Sequence, residues 1–269
     1  MKKIILILLL KIFLLNLHSQ EYFQQHVSYK INVKLDDKNH ILRGDETIEY
    51  TNNSPDELEF LYFHLWPNAC KNNSTALAHQ KFMMSGKLSL FNDKEQRGFI
   101  DSLKFKINGK ATKWEYHPEH IDICKIHLPE PVKSGETITI STPFKVNIPK
   151  AGNARMGYAD QSYTFTQWYP KPAVYDKKGW HAMPYLDMGE FYSEFGSFDV
   201  RITLPENYVV AATGNLQNAD ELKWLNNKAA ETAKKSEFDQ EDMDFPESSS
   251  EFKTIRYTQD SIHDFAWFA

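Results

Sequence analysis

Along residues 26–35 apolar and polar positions alternate, with Val27, Tyr29, Ile31, Val33 and Leu35 on one side. A strand with one buried face needs that period of two. Residues 36–39 read as a turn, and 41–51 supply a second β-branched and aromatic run before Asn52, Asn53, Ser54 and Pro55 break it. The two runs predict an antiparallel hairpin. Residues 58–66 are apolar at nearly every position, which predicts a strand covered on both faces. A short helix fits 74–87, bounded by Gly86. Strands are expected again at 100–107 and 111–116, which flank Asn108-Gly109, a dipeptide that tolerates positive φ at both positions of a two-residue turn. Further strands fit 121–128, 136–148, 162–168, 197–204, 208–212 and 253–258. The expected fold is mainly β and antiparallel.

Three stretches depart from this rhythm. Residues 219–235 turn to Ala, Glu, Lys and Leu, an exposed helix, and 237–251 hold seven acidic residues with no Lys or Arg. A solvated insertion accounts for that acidity, because the spacing does not follow a calcium-binding loop. At the start, Lys2 and Lys3 precede an apolar stretch over 4–17 and the small residue Ser19, the pattern of a secretory signal peptide cleaved after Ser19. Lys11 interrupts that stretch, which falls short of the roughly 20 residues that cross a bilayer, so a retained anchor is the weaker reading. The mature chain is expected to be periplasmic or extracellular, with no stable membrane insertion. The run Asp264-Phe265-Ala266-Trp267-Phe268-Ala269 reads as the beginning of a core strand.

Composition narrows the function. Across 269 residues, 31 Lys and Arg face 36 Asp and Glu, a net charge of −5 that offers no basic field for nucleic acid. Cys70 and Cys124 could oxidise in an exporting compartment, or stay as two buried free thiols, the favoured alternative in a chain long enough to fold without staples. Two isolated cysteines do not make a structural zinc site. None of the ten histidines forms H-E-x-x-H. His117-Pro118-Glu119-His120 has the wrong spacing and a proline that opposes a helix, so it is expected to be a turn. Nucleophile-elbow, phosphate-loop and dinucleotide fingerprints are also absent from the sequence. Asp187, Glu190, Glu194 and Asp199 leave open a carboxylate pair for glycoside hydrolysis, and exposed Trp168, Trp180 and Tyr185 leave open a non-enzymatic β-sandwich module for adhesion or binding.

More specific is the order of several motifs: 50–55, Phe63-His64-Leu65-Trp66-Pro67-Asn68-Ala69, Thr166-Gln167-Trp168-Tyr169-Pro170-Lys171-Pro172-Ala173-Val174-Tyr175-Asp176, Gly189-Glu190-Phe191-Tyr192, Phe195-Gly196 and Ala211-Ala212-Thr213-Gly214-Asn215-Leu216. Together they resemble the amino-terminal domain of exported bacterial members of the aminopeptidase N family, peptidase family M1. The resemblance implies a saddle-like β-sandwich over 20–260, with 217–252 as a charged helical and acidic insertion, 1–19 as signal peptide and 261–269 as the start of a catalytic domain missing from this sequence. It implies zinc in that missing domain and none bound by this chain, no catalytic residue here, and two partners: a peptide substrate and the protein's own catalytic domain. Gln167 is similar to the family's glutamine that faces the active cleft, where a carboxamide oxygen accepts a hydrogen bond from the substrate's α-amine. Tyr169 stands where many relatives carry an acid, and as a second substrate-binding candidate it brings no negative charge.

Overall fold

The computed structural model describes residues 22–86, 90–239 and 244–269; the expected signal peptide and its cleavage point lie outside them. The hairpin forms as the alternation requires: β1 (His26–Asp36) pairs antiparallel with β2 (Ile41–Thr51) along its whole length. β3 (Leu58–His64) stops two residues short of expectation. Pro67 has no N–H to give a ladder, and Trp66–Cys70 coil into a 3₁₀ turn. Helix α1 (Ala76–Ser85) starts at Thr75, whose hydroxyl accepts from the Ala78 N–H, and ends at Gly86 in the left-handed conformation.

Next come β4 (Phe99–Asp101), β5 (Lys106–Ile107), β6 (Lys110–Ala111) and β7 (Trp114–Tyr116), then the long β8 (Ile123–Val132) and β9 (Thr137–Asn147). Asn108 and Gly109 both take positive φ between β5 and β6, as the turn chemistry demands. The second half adds β10 (Gly157–Ala159), β11 (Ser162–Phe165), β12 (Lys171–Pro172), β13 (Tyr175–Asp176), β14 (Gly179–Trp180), β15 (Gly196–Pro205), β16 (Ala211–Ala212) and β17 (Asn215–Leu216). Helix α2 (Ala219–Thr232), which buries none of its residues, leads towards β18 (Phe252–Ile262) and β19 (Trp267–Phe268).

Among the described residues these strands form one large sheet ordered β17-β18-β15-β1-β2-β9-β5-β6, with β4 also on β9, two four-stranded sheets, β12-β3-β8-β7 and β10-β11-β19-β16, and the small ribbon β13-β14. The pairing in the large sheet is antiparallel except that β1 runs parallel to β15. Gly196 makes that contact possible: a Cβ there would lie 2.4 Å from the Val27 carbonyl oxygen. The inner face of the large sheet carries Ile31, Leu42, Ile48, Ile140, Val146, Val200 and Ile202, packed in one core with Leu61, Phe63, Ile126, Phe165 and Trp267 from the smaller sheets and Trp168 and Phe265 from the segments beside them. The chain is therefore mainly β, with several sheets sharing one main core.

Within residues 261–269 two side chains, Phe265 and Trp267, enter this core. Phe265 and Trp267 are fully buried, and β19 pairs with both β11 and β16. Burial of each such ring is worth about 2–3 kcal/mol, so the segment is tied down by its own side chains. Cys70 and Cys124 are buried free thiols; burial pushes the Cys70 thiol up to about 12 and the Cys124 thiol higher still. No helix among the described residues is long and apolar enough to cross a membrane.

Candidate functional site

The strand expected over 162–168 ends early, and the reason defines the site. After β11 the backbone turns out of the extended region because Gln167 adopts φ 52°. For a side chain other than glycine that conformation costs about 1–3 kcal/mol, and such residues cluster where geometry serves function. Flanking contacts enforce the bend. Thr166 Oγ1 donates to the Arg155 carbonyl at 2.7 Å, and the Trp168 indole N–H donates to the Phe265 carbonyl at 2.9 Å. Beyond Pro170 the chain becomes β12, whose Lys171 pairs with His64 on β3.

The bend delivers three side chains to one carboxylate. Gln167 Nε2 donates to Asp264 Oδ2 at 3.0 Å, the Tyr169 hydroxyl donates to Oδ1 at 2.8 Å, and Lys171 Nζ lies 2.8 Å from Oδ1. The Phe265 backbone N–H adds a fourth bond to the carboxylate, at Oδ1 and 2.9 Å. Lys171, almost wholly buried, gives its remaining donors to Ser193 Oγ at 3.2 Å and the His263 carbonyl at 3.1 Å, so its three N–H groups meet three acceptors. Burial alone would raise the Asp264 pKa, but the Lys171 ammonium and the converging hydrogen bonds hold it below the usual carboxylate range. Burial lowers the Lys171 pKa, and Asp264 offsets part of that. Burial, and then the Asp264 charge, hold the Tyr169 hydroxyl firmly protonated, so it acts as a donor. His64, stacked on Trp66 at 4.4 Å, is kept neutral by burial and by Lys171, its pKa near 3.

Gln167 itself is only half satisfied. A carboxylate accepts and never donates, so the amide nitrogen must face Asp264. The amide oxygen, Oε1, is shut off from solvent and has no partner within the described protein. An unmet buried acceptor costs about 1–3 kcal/mol. Gln167 thus carries two costs at one residue, and what the site lacks is a hydrogen-bond donor.

Tyr169 sits differently from its partner candidate. Its ring is enclosed by Tyr29, Trp168 and Phe198, with 1% of the residue exposed, so its one polar contribution is the hydroxyl that steadies Asp264. Sequence reasoning did not single out Asp264, Lys171, Ser193 or His64 for this site. Lys171 lies within the Thr166–Asp176 motif and Asp264 within the terminal aromatic run, but no spacing rule links Asp264 to Gln167, 97 residues away.

The other chemistry considered from sequence does not assemble. Trp168 and Tyr185 are buried and only Trp180 is partly open, which corrects the expectation of three exposed aromatics for a binding module: the first two fill the core. The four acids are tied to separate parts of the fold. Asp187 lies 3.2 Å from Lys81 of α1, Asp199 is bidentate to Arg256 on β18, Glu190 is exposed, and Glu194 is buried with a pKa raised by desolvation to about 7. His117 and His120 stack at 5.3 Å in the turn between β7 and β8. Among the described residues no three His, Cys, Asp or Glu side chains come together to hold a metal.

No protein-family model and no curated protein matches this sequence. Solved structures do resemble it. An M1 zinc metallopeptidase from Deinococcus radiodurans is 13% identical with a TM-score of 0.46, covering 93% of this chain and 42% of its own. A mutant of the M1 zinc metallopeptidase from Deinococcus radiodurans bound to a Tyr-Ser-Ala substrate gives 12%, 0.47, 92% and 42% for the same quantities. This chain therefore spans about two fifths of the length of these structures. At such identities and TM-scores the likeness assigns neither a family nor an activity.

Proposed function

We propose that this chain is the substrate-cleft domain of an exported zinc aminopeptidase of the M1 type, which removes residues from the amino ends of peptides. Zinc and its H-E-x-x-H ligands are supplied by a catalytic domain outside this sequence, and the present residues contribute no metal ligand. The chain reaches the periplasm or the exterior by way of its signal peptide. Within the enzyme Gln167 meets the substrate's α-amine.

One observation carries this reading: at Gln167 the amide nitrogen is committed to Asp264 while the amide oxygen lacks a donor. A protonated α-amine is a strong donor of matching polarity, and a hydrogen bond to a charged group is worth about 1.5–3 kcal/mol. The motif order in the sequence supports the M1 reading. The buried oxygen also sets a condition, since an amine reaches it only by displacing the groups that now cover it.

The test is kinetic and uses the full-length gene product. Zinc-dependent release of amino-terminal residues is expected, and Gln167→Ala should raise KM for peptides with a free amine by about tenfold, the loss of one charged hydrogen bond. A gene product that leaves peptides intact, or one in which Gln167→Ala does not change KM, would sink the reading.

A further inference from the structure

We infer that Asp264 is the positioning residue of this site: it fixes which end of the Gln167 carboxamide is offered to a ligand. The inference rests on the cleft reading of Gln167 and adds to it the residue that makes Gln167 an acceptor.

A glutamine amide is symmetrical in shape and opposite in polarity, so a free side chain presents a donor or an acceptor by rotating half a turn. Asp264 removes that freedom. Were the amide to flip, its oxygen would stand about 3 Å from Asp264 Oδ2, two acceptors facing each other with no proton between them. Asp264 is itself immobilised, because Oδ1 is held by Lys171, Tyr169 and the Phe265 N–H, leaving Oδ2 for Gln167. A rigid carboxylate behind a rotatable amide is a polarity lock. The positive charge of Lys171 balances Asp264, so the ligand meets an oriented neutral dipole in place of a bare anion. Tyr169 serves the same arrangement from below, giving a buried hydroxyl where a second anion would repel Asp264.

The test compares five variants of the full-length gene product: Gln167→Ala, Asp264→Asn, the pair Lys171→Met with Asp264→Asn, and each of the two Asp264 variants with Gln167→Ala added. An asparagine keeps the shape of Asp264, but the donors that converge on the Oδ1 position hold its carbonyl oxygen there and leave its amide nitrogen facing Gln167, which turns the Gln167 amide round and withdraws the acceptor from the ligand. The double variant removes both charges together and so stays foldable if Asp264→Asn alone does not. We expect both Asp264 variants to raise KM for free-amine peptides by about tenfold with kcat within about twofold, and Gln167→Ala added to either to raise KM no further. KM unchanged in the double variant, or a rise that adds fully to that of Gln167→Ala, would overturn the positioning role. If Gln167→Ala by itself leaves KM unchanged, the cleft reading fails instead, so the two failures separate.

Discussion

Two ion pairs of nearly equal length sit in opposite surroundings. Lys171 and Asp264 meet at 2.8 Å with side chains 3% and 15% exposed, whereas Arg256 and Asp199 meet at 2.7 Å with 42% and 20% exposed. The surface pair looks stronger on paper, since the guanidinium grips both carboxylate oxygens. Water competes for it and salt screens it, so the fold gains little. The buried pair is costly to desolvate and is justified only by complete partnering, which Ser193, the His263 carbonyl, Tyr169, Gln167 and the Phe265 N–H provide. Length of contact is therefore a poor guide to consequence; what matters is what remains when one partner is removed.

The sharpest way to break the comparison is Lys171→Met, which strands the Asp264 charge in the interior. A loss of about 3–5 kcal/mol is expected in denaturant unfolding, with much of it recovered when Asp264→Asn is added. An undiminished midpoint for Lys171→Met would mean that the pair is as dispensable as a surface one.

Acid should come second. His64, paired with Lys171 across β12 and β3, has a folded pKa near 3 against an ordinary 6.5. Between these values the unfolded chain binds a proton that the native chain refuses, so stability falls as pH falls, by about 1.4 kcal/mol per unit. From pH 6.5 to 5 this amounts to about 2 kcal/mol, and His64→Phe should flatten that part of the stability-against-pH curve. An equal slope in wild type and variant would remove His64 as its source. The smallest effect belongs to the surface: Arg256→Gln should leave the melting temperature unresolved from wild type in moderate salt, and a clear drop would show that the exposed pair matters after all.

How far the sequence foretold these features depends on the range of the interaction behind each. The hairpin of β1 and β2, the Asn108-Gly109 turn and α1 with its Gly86 end were legible, because alternation, turn chemistry and capping are local. The end of β11 was not, since nothing in the residues around Gln167 announces φ 52°; the partner that holds the neighbouring Trp168, the Phe265 carbonyl, lies 97 residues on. At the site, resemblance pointed to Gln167 and Tyr169, but the carboxylate that joins them comes from the far end of the chain. The exposed aromatics failed for a related reason: a tryptophan looks the same in a sequence whether it fills a core or faces water.

The parallel seam between β1 and β15 carries a consequence for how the chain folds. Ser28 and Ser197, bonded across it, are 169 residues apart, so β1 cannot gain its second neighbour until the chain has been made as far as β15. Closing so long a loop consumes entropy before any contact compensates it, which places this step late and makes it slow. Refolding followed by pulsed amide hydrogen exchange should show the β1–β2 ribbon protected well before β15 docks, and simultaneous protection of all three would reverse that sequence of events. Until docking is complete, one long edge of β1 stays open to pairing with other chains, so the same seam that completes the large sheet is where the unfinished protein is most exposed to aggregation.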